Sequence, residues 1–244
     1  MEFWGITDSG KVRKGNQDVF KTYIDEGNDT AIFVVCDGMG GANAGNIAST
    51  LAAETFIEYM AKNISNFTNH SDVITKITDA VLVANTKVFD KSTQDIAFAG
   101  MGTTLTAAVI TKFGEVAANV GDSRLYHVKD SRVVQITRDH SVVEDMIERG
   151  EISRHEAHLH PNKNLITRAI GTSAHEPPDI FFLNLKPGEF ILLCSDGFSN
   201  LASERDIITE LKKGKPVKGS CEAFVNLALS RGAPDNVTVV ICKK

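Results

Sequence analysis

Ala31-Ile32-Phe33-Val34-Val35-Cys36-Asp37-Gly38-Met39-Gly40-Gly41 decides the reading of this chain, because an unbroken apolar run ends on a carboxylate followed by glycines. Such a run, rich in β-branched and aromatic residues and closed by Gly, reads as a buried β-strand that breaks into a flexible turn at Asp37. The same grammar recurs along the chain. Ile191-Leu192-Leu193-Cys194-Ser195 leads into Asp196-Gly197, the run from Glu115 to Gly121 ends on Asp122, and Asp235-Asn236 precedes Val237 to Ile241. Four acids therefore mark strand ends.

Working outward, Thr103 to Thr111, Arg124 to Val128, Val133 to Ile136, Phe190 to Cys194 and Val237 to Cys242 also read as strands bounded by Gly, Asp or Asn. Phe113-Gly114-Glu115 lies between two of them and predicts a hairpin, hence antiparallel neighbours. Helical spacing appears in three blocks: Ile47, Leu51, Phe56 and Met60 with Ala48 and Ala52; Ile74, Ile77, Val81, Ala84 and Val88; and Val217, Cys221, Phe224, Val225, Ala228 and Leu229. Strands that pair with sequence neighbours, with helices inserted in long blocks, point to an α+β fold of two packed antiparallel sheets with helices outside. Phe3 and Trp4 are expected to pack within that sandwich.

At 244 residues the chain is long enough to bury a core without disulfides, and no Pro-rich or Ser-rich linker divides it, so a single domain over 1–244 is expected. Apolar residues make up 42% and charged residues 23%, the balance of a globular protein. A net charge of −5 gives nucleic acid no general electrostatic reason to bind. The N-terminal residues do not resemble a leader and no apolar run is long enough to cross a bilayer, so a cytosolic location is expected; the chain is also expected to be a monomer. Cys36, Cys194, Cys221 and Cys242 sit in apolar stretches without C-x-x-C spacing and read as small buried hydrophobes.

Acids clustered at strand ends repel one another unless a cation offsets their charge, and hard oxygen ligands favour Mg²⁺ or Mn²⁺ over zinc. Taken singly, each Asp-Gly pair is equally well read as a turn former. The decision comes from the whole set. Arg13-Lys14-Gly15-Asn16-Gln17-Asp18, Val35-Cys36-Asp37-Gly38-Met39-Gly40-Gly41, Gly102-Thr103-Thr104, Val120-Gly121-Asp122-Ser123-Arg124, Asp139-His140-Ser141, Leu165 to Gly171, Leu193-Cys194-Ser195-Asp196-Gly197 and Pro234-Asp235-Asn236-Val237-Thr238 occur in that order. Together they resemble the PPM family, the type-2C metal-dependent serine/threonine protein phosphatases, and especially its compact bacterial members.

The resemblance implies an αββα sandwich, with a small flap segment at about residues 141–172, and a two-metal site. By position, Asp37 would bridge two Mn²⁺ or Mg²⁺ ions, the Gly38 carbonyl would bind one, and Asp196 and Asp235 the other. Asp122 with Asp196 would match a third site. Asp18, Gln17 and Asn236 would stand behind these ligands, Asp18 holding metal-bound water, and Arg13 would bind phosphate. Cations about 3.5–4 Å apart acidify a shared water, and the resulting hydroxide would hydrolyse phosphoserine and phosphothreonine in line without a phosphoenzyme.

Partners implied are phosphorylated proteins and an opposing Ser/Thr kinase. Two departures stand out: Gln17 where many relatives carry Glu, and Met39 where some eukaryotic members carry a His proposed as general acid. Arg124 and Arg168 are expected in structural ion pairs. His155, His158 and His160 are expected as exposed loop residues, and Arg149, Arg154 and Lys163 as cations that either face substrate or are merely solvated. Two other functions fit the residues less well: a phosphatase-fold regulatory module that no longer turns over substrate, and a two-metal phosphodiesterase or nuclease. Retention of Asp37, Asp196, Asp235 and Arg13 argues against the first, and the negative net charge against the second.

Overall fold

A computed structural model of the chain describes residues 1–41, 44–94, 96–129 and 132–244, with all their side chains except that of His158. The chain runs through β1 (Glu2–Asp8), β2 (Asp18–Asp25), β3 (Thr30–Met39), α1 (Ala44–Asn63), α2 (His70–Gln94), β4 (Gly102–Thr103), β5 (Leu105–Thr111), β6 (Gly114–Val120), β7 (Arg124–Lys129) and β8 (Arg132–Gln135). It continues with α3 (Val142–Glu148), α4 (Arg154–Leu159), β9 (Asp179–Leu183), β10 (Phe190–Cys194), α5 (Asp196–Ser199), α6 (Glu204–Leu211), α7 (Val217–Ser230) and β11 (Val237–Lys243). One sheet has the order β1-β11-β10-β7-β8 and the other β2-β3-β5-β6-β9, with β4 paired to the end of β3. The pairings between these strands are antiparallel.

Alternation of side chains along the central strands creates three layers of core. In β3, Ile32, Val34 and Cys36 point outward to Ala48, Phe56 and Met60 of α1 and to Ile77, Val81 and Val88 of α2. Ala31, Phe33 and Val35 point inward, against Ile191 and Leu193 of β10 and Val240 and Cys242 of β11. On the far side Leu192, Cys194, Val239 and Ile241 meet Cys221, Phe224 and Ala228 of α7. Both faces of these strands are covered, which is why they read as unbroken apolar runs. Truncating Phe33, fully buried between the sheets, to Ala would cost about 3–5 kcal/mol.

The four cysteines are free and buried. The β5–β6 hairpin forms as its turn predicts, with Thr111 opposite Gly114. Three strands do not announce themselves in sequence: β1, β2 and β9 lie at sheet edges, are largely half-exposed, and mix polar with apolar residues. Alternation also corrects the placing of Trp4. Phe3 turns inward, with its ring 5.5 Å from that of Phe33, whereas Trp4 turns outward, is 41% exposed and lies under the Lys218 ammonium.

Two strand ends differ from expectation as well. β3 does not break at Asp37 but runs to Met39, because Gly38 and Met39 pair with Thr103 and Gly102. Asp196 opens helix α5 rather than a turn. The Thr103 to Thr111 run is divided at Thr104, whose amide turns back to the Asp37 carbonyl.

Candidate active site

In an antiparallel sandwich, a strand that ends at one edge lies beside one that begins there, so residues remote in sequence meet. Asp37 at the end of β3, Asp122 after β6, Asp196 after β10 and Asp235 before β11 all reach one cleft of about 270 Å³. Arg13, Gln17, Gly38 and Asn236 line it too. Close packing of the chain makes this possible. A Cβ on Gly38 would lie 2.1 Å from the Gly45 carbonyl oxygen at the start of α1, and one on Gly197 would lie 1.9 Å from that of Asn236. Only glycine lets the strand ends come so near.

Asp18 stands opposite Asp37 in the β2–β3 register. Its Oδ2 accepts hydrogen bonds from the Ser195 and Thr238 hydroxyls, both at 2.7 Å, which ties β2 to the other sheet. Its Oδ1 is buried and has no protein partner. Burial, partly relieved by those hydroxyls, raises the Asp18 carboxyl to about 6. Asp37 opens to the cleft on one side and is crowded by protein on the others. Burial, then the charges of Asp18, Asp196, Asp122 and Asp235, push its carboxyl well above the usual range. The same causes, burial first and Asp196 next, raise Asp122 to about 8, and burial with Asp235 raises Asp196. The site holds more negative charge than its surroundings neutralise.

Arg13 offers part of the missing countercharge. Its guanidinium donates to Asp235 Oδ2 at 2.7 Å and remains 58% exposed. Asn236 is a clamp rather than a bystander: its side-chain amide donates to the Ser9 and Gly15 carbonyls, both at 2.9 Å, and its Oδ1 accepts from the Gln17 amide. The loop carrying Arg13 and Gln17 is thereby fastened to the strand end carrying Asp235. The Gln17 side chain reaches toward α1, with a long 3.4 Å bond to the Gly41 carbonyl.

An orphaned buried carboxylate oxygen on Asp18, three cleft acids of depressed acidity and an all-oxygen donor set fit hard divalent cations. As the side chains stand, no three of the described His, Cys, Asp or Glu residues already converge as a ready-made cation cage, and Arg13 holds one Asp235 oxygen.

The segment expected as a flap, residues 141–172, reaches the site. Bridges Ser141↔Ile166 and Thr103↔Ile170 pin its two ends, and Asn164 and Ile166 line the cleft together with Met39 and Thr104. The side chains of Thr104, Asn164 and Ile166 carry no titratable group, so sequence reasoning about charge passes them by. A second cavity of about 470 Å³ shares Asp122 and Asp196 with the cleft and runs beneath the flap past Glu144, Arg154 and Lys163. Arg154 pairs with Glu144 and Arg149 with Glu151, whereas Lys163 has no ion pair among the described residues. His155 is exposed on α4 and not in a loop, since Ser153 and Glu156 form a capping box that starts a helix there. Arg124 pairs with Asp139 at 2.6 Å, and Arg168 with Glu176 and Asp179 at 2.7 Å each.

The sequence model of protein phosphatase 2C matches residues 11–235. The serine/threonine phosphatase stp of Listeria welshimeri is 33% identical over 238 residues, covering 98% of this chain and 94% of that protein. Among solved structures, the Mycobacterium tuberculosis serine/threonine phosphatase PstP superposes with a TM-score of 0.86 at 33% identity, covering 99% of this chain and 97% of that one. The PstP catalytic domain in complex with two manganese ions gives a TM-score of 0.83 at 32% identity, with 99% and 97% coverage.

Proposed function

The chain belongs to the protein phosphatase 2C family, and from that premise we propose that the cleft hydrolyses phosphoserine and phosphothreonine monoesters in proteins. The observation that carries this reading is the convergence of Asp37, Asp122, Asp196 and Asp235 on one cleft with Arg13 at its lip. Asp37, Asp196, Asp235 and the Gly38 carbonyl would hold two Mn²⁺ or Mg²⁺ ions, and Asp122 with Asp196 a third. When bound, the ions supply an acidified water and a positive field over the phosphoryl oxygens.

The chain's own residues supply position. Asp18, held by Ser195 and Thr238, keeps its free Oδ1 beside Asp37 to orient a water. Arg13, released from Asp235, offers a planar fork to two phosphoryl oxygens. Met39 lines the cleft but has no proton to give the departing alkoxide. On this reading residues 1–244 form one catalytic domain, working as a monomer in the cytosol against a Ser/Thr kinase. Among the described residues no helix is long and apolar enough to cross a membrane. The deciding experiment is hydrolysis of a phosphothreonine peptide after chelation, with and without Mn²⁺ or Mg²⁺. Turnover that survives excess chelator, with metal content measured as zero, overturns the mechanism.

A further inference from the structure

At the end of the sandwich opposite the acids lies a recess of about 410 Å³ that the phosphatase chemistry does not use. Its floor is apolar: Val128 and Leu211 are buried, and Phe190 and Ile208 are partly so. Phe190 opens β10 and faces Val128 on one side and Lys243 on the other. One wall is the Lys186–Glu189 turn, fixed by hydrogen bonds from the Gly188 amide to the Lys244 carbonyl and from the Glu189 amide to the Lys186 carbonyl. The recess is thus built from strand ends and a tied turn.

Its rim is cationic. Lys129, Lys186 and Lys212 are exposed and form no ion pair among the described residues, while the Lys243 ammonium lies 5.5 Å from the Phe190 ring centre. Nearby lysines are already paired, Lys213 and Lys215 sharing Glu210 and Lys244 with Glu115. Among the described residues the lining contributes a single acid, Glu189, and its carboxylate is engaged by His127 and the Lys186 amide. In a chain of net charge −5, this concentration of free positive charge around an apolar floor is local and directional.

We propose that this recess docks an acidic peptide segment bearing an aromatic or aliphatic side chain, carried by the phosphoprotein substrate at a distance from its phosphorylated residue. The apolar side chain enters over Val128 and Leu211, and flanking carboxylates meet Lys129, Lys186 and Lys212. A bilayer suits the feature poorly, because the apolar surface is recessed instead of protruding. The four steps along β10 alone span about 13 Å, so a substrate reaching both sites around the surface needs a spacer of roughly ten residues or more. The inference rests on the phosphatase reading only for the identity of the peptide's owner.

The test is fluorescence anisotropy of a dye-labelled peptide, one phenylalanine flanked by glutamates, added to the Mn²⁺-loaded protein with inorganic phosphate present to fill the catalytic cleft. The Lys129→Glu/Lys212→Glu pair should bind it at least about fivefold more weakly, with the gap widening at low ionic strength. The Lys129→Arg/Lys212→Arg pair should bind as wild type does, and kcat/KM for an aryl phosphate should stay within about twofold in both, because neither lysine touches the cleft. If the glutamate pair fails to fold, the Lys129→Ala/Lys212→Ala pair reports the same ranking. Equal affinity of wild type and charge-altered proteins overturns the proposal. So does a peptide that fails to bind while phosphatidylglycerol vesicles bind through the same lysines. Loss of aryl phosphatase activity in every protein, wild type included, would instead sink the phosphatase reading, and the anisotropy would still decide the recess.

Discussion

The two ends of the sandwich carry opposite charge, and the same three strands connect them. β7 follows Asp122 and ends on Lys129, β10 runs from the Lys186–Glu189 turn to Asp196, and β11 follows Asp235 and ends on Lys243. At the acid end, the charges crowd a cleft that raises their carboxyls. At the lysine end, the charges rim an apolar recess. The lesson is that a rigid antiparallel core separates two electrostatic tasks: one end concentrates a field that needs a cation, and the other displays a field that suits an anion.

The largest effect that breaks this contrast should come from the acid end. Asp37→Asn or Asp196→Asn is expected to lower kcat by more than about 100-fold, beyond the 10- to 100-fold typical of changes one layer further out. In chelator the Asp37→Asn protein should also melt higher than wild type, because one of the mutually repelling carboxylates is gone. Near-normal kcat at saturating Mn²⁺ for either variant removes that residue from the site. Next in size is Arg13→Ala, expected to lower kcat/KM about 10- to 100-fold, mainly through KM, with Lys restoring only part. Kinetics equal to wild type would make Arg13 a surface partner of Asp235 and nothing more.

How much of the acid end was legible follows from its placement on covered strands. Ile32 to Cys36 and Ile191 to Cys194 are buried on both faces, so their apolar runs are long, and an acid ending such a run stands out. The motifs then grouped those acids, although it took coordinates to bring Asp18 opposite Asp37 and Asn236 onto the Arg13 loop. Edge strands β1, β2 and β9 stayed hidden because half-exposed strands tolerate polar residues at most positions. Trp4 misled for a related reason: its neighbour Phe3 takes the inward position, and a one-residue step flips the face. The lysine end was illegible, since Lys129, Lys186, Lys212 and Lys243 are scattered through the sequence and only the folded arrangement of strand ends, the turn before β10 and the end of α6 gathers them.

A smaller effect sharpens the contrast through pH. The folded-state carboxyl of Asp122 lies at about 8, above its ordinary value of 3.8. The native state therefore binds more protons than the unfolded chain between those limits, and stability without metal must fall as pH rises through that window. His140 works the other way, since burial lowers it from 6.5 and its contribution is lost as pH falls below that value. Above pH 6.5 the carboxyls dominate. The chelated protein should lose a few degrees of Tm between pH 6.5 and 8, the loss should shrink in Asp122→Asn, and saturating Mn²⁺ should remove it. A Tm that rises over this range in chelator contradicts the charge excess assigned to the cleft.

The smallest effect tests how far the acid end extends. Gln17 occupies a position where the family resemblance leads one to expect Glu, and it lines the cleft. Its main chain is secured independently of the side chain: the amide donates to Asn236, and the carbonyl accepts from the Ser49 hydroxyl at 2.6 Å and the Gly38 amide at 3.1 Å. Gln17→Glu can then add a charge without moving Arg13 or Asp235. If the new carboxylate faces the cleft, it should tighten apparent Mn²⁺ affinity by about tenfold or less, the lower end of what outer-layer groups achieve. The present geometry supplies a competing destination, because Gln17 Oε1 lies over Gly45 in the first turn of α1. A carboxylate there would meet the positive end of the helix and stabilise the fold by about 0.3–1 kcal/mol instead. Titrating activity with Mn²⁺ at fixed ionic strength and measuring Tm in chelator separates the two. A lowered midpoint extends the acid end to residue 17, whereas an unchanged midpoint with a raised Tm confines it to the strand-end aspartates and gives position 17 to the helix.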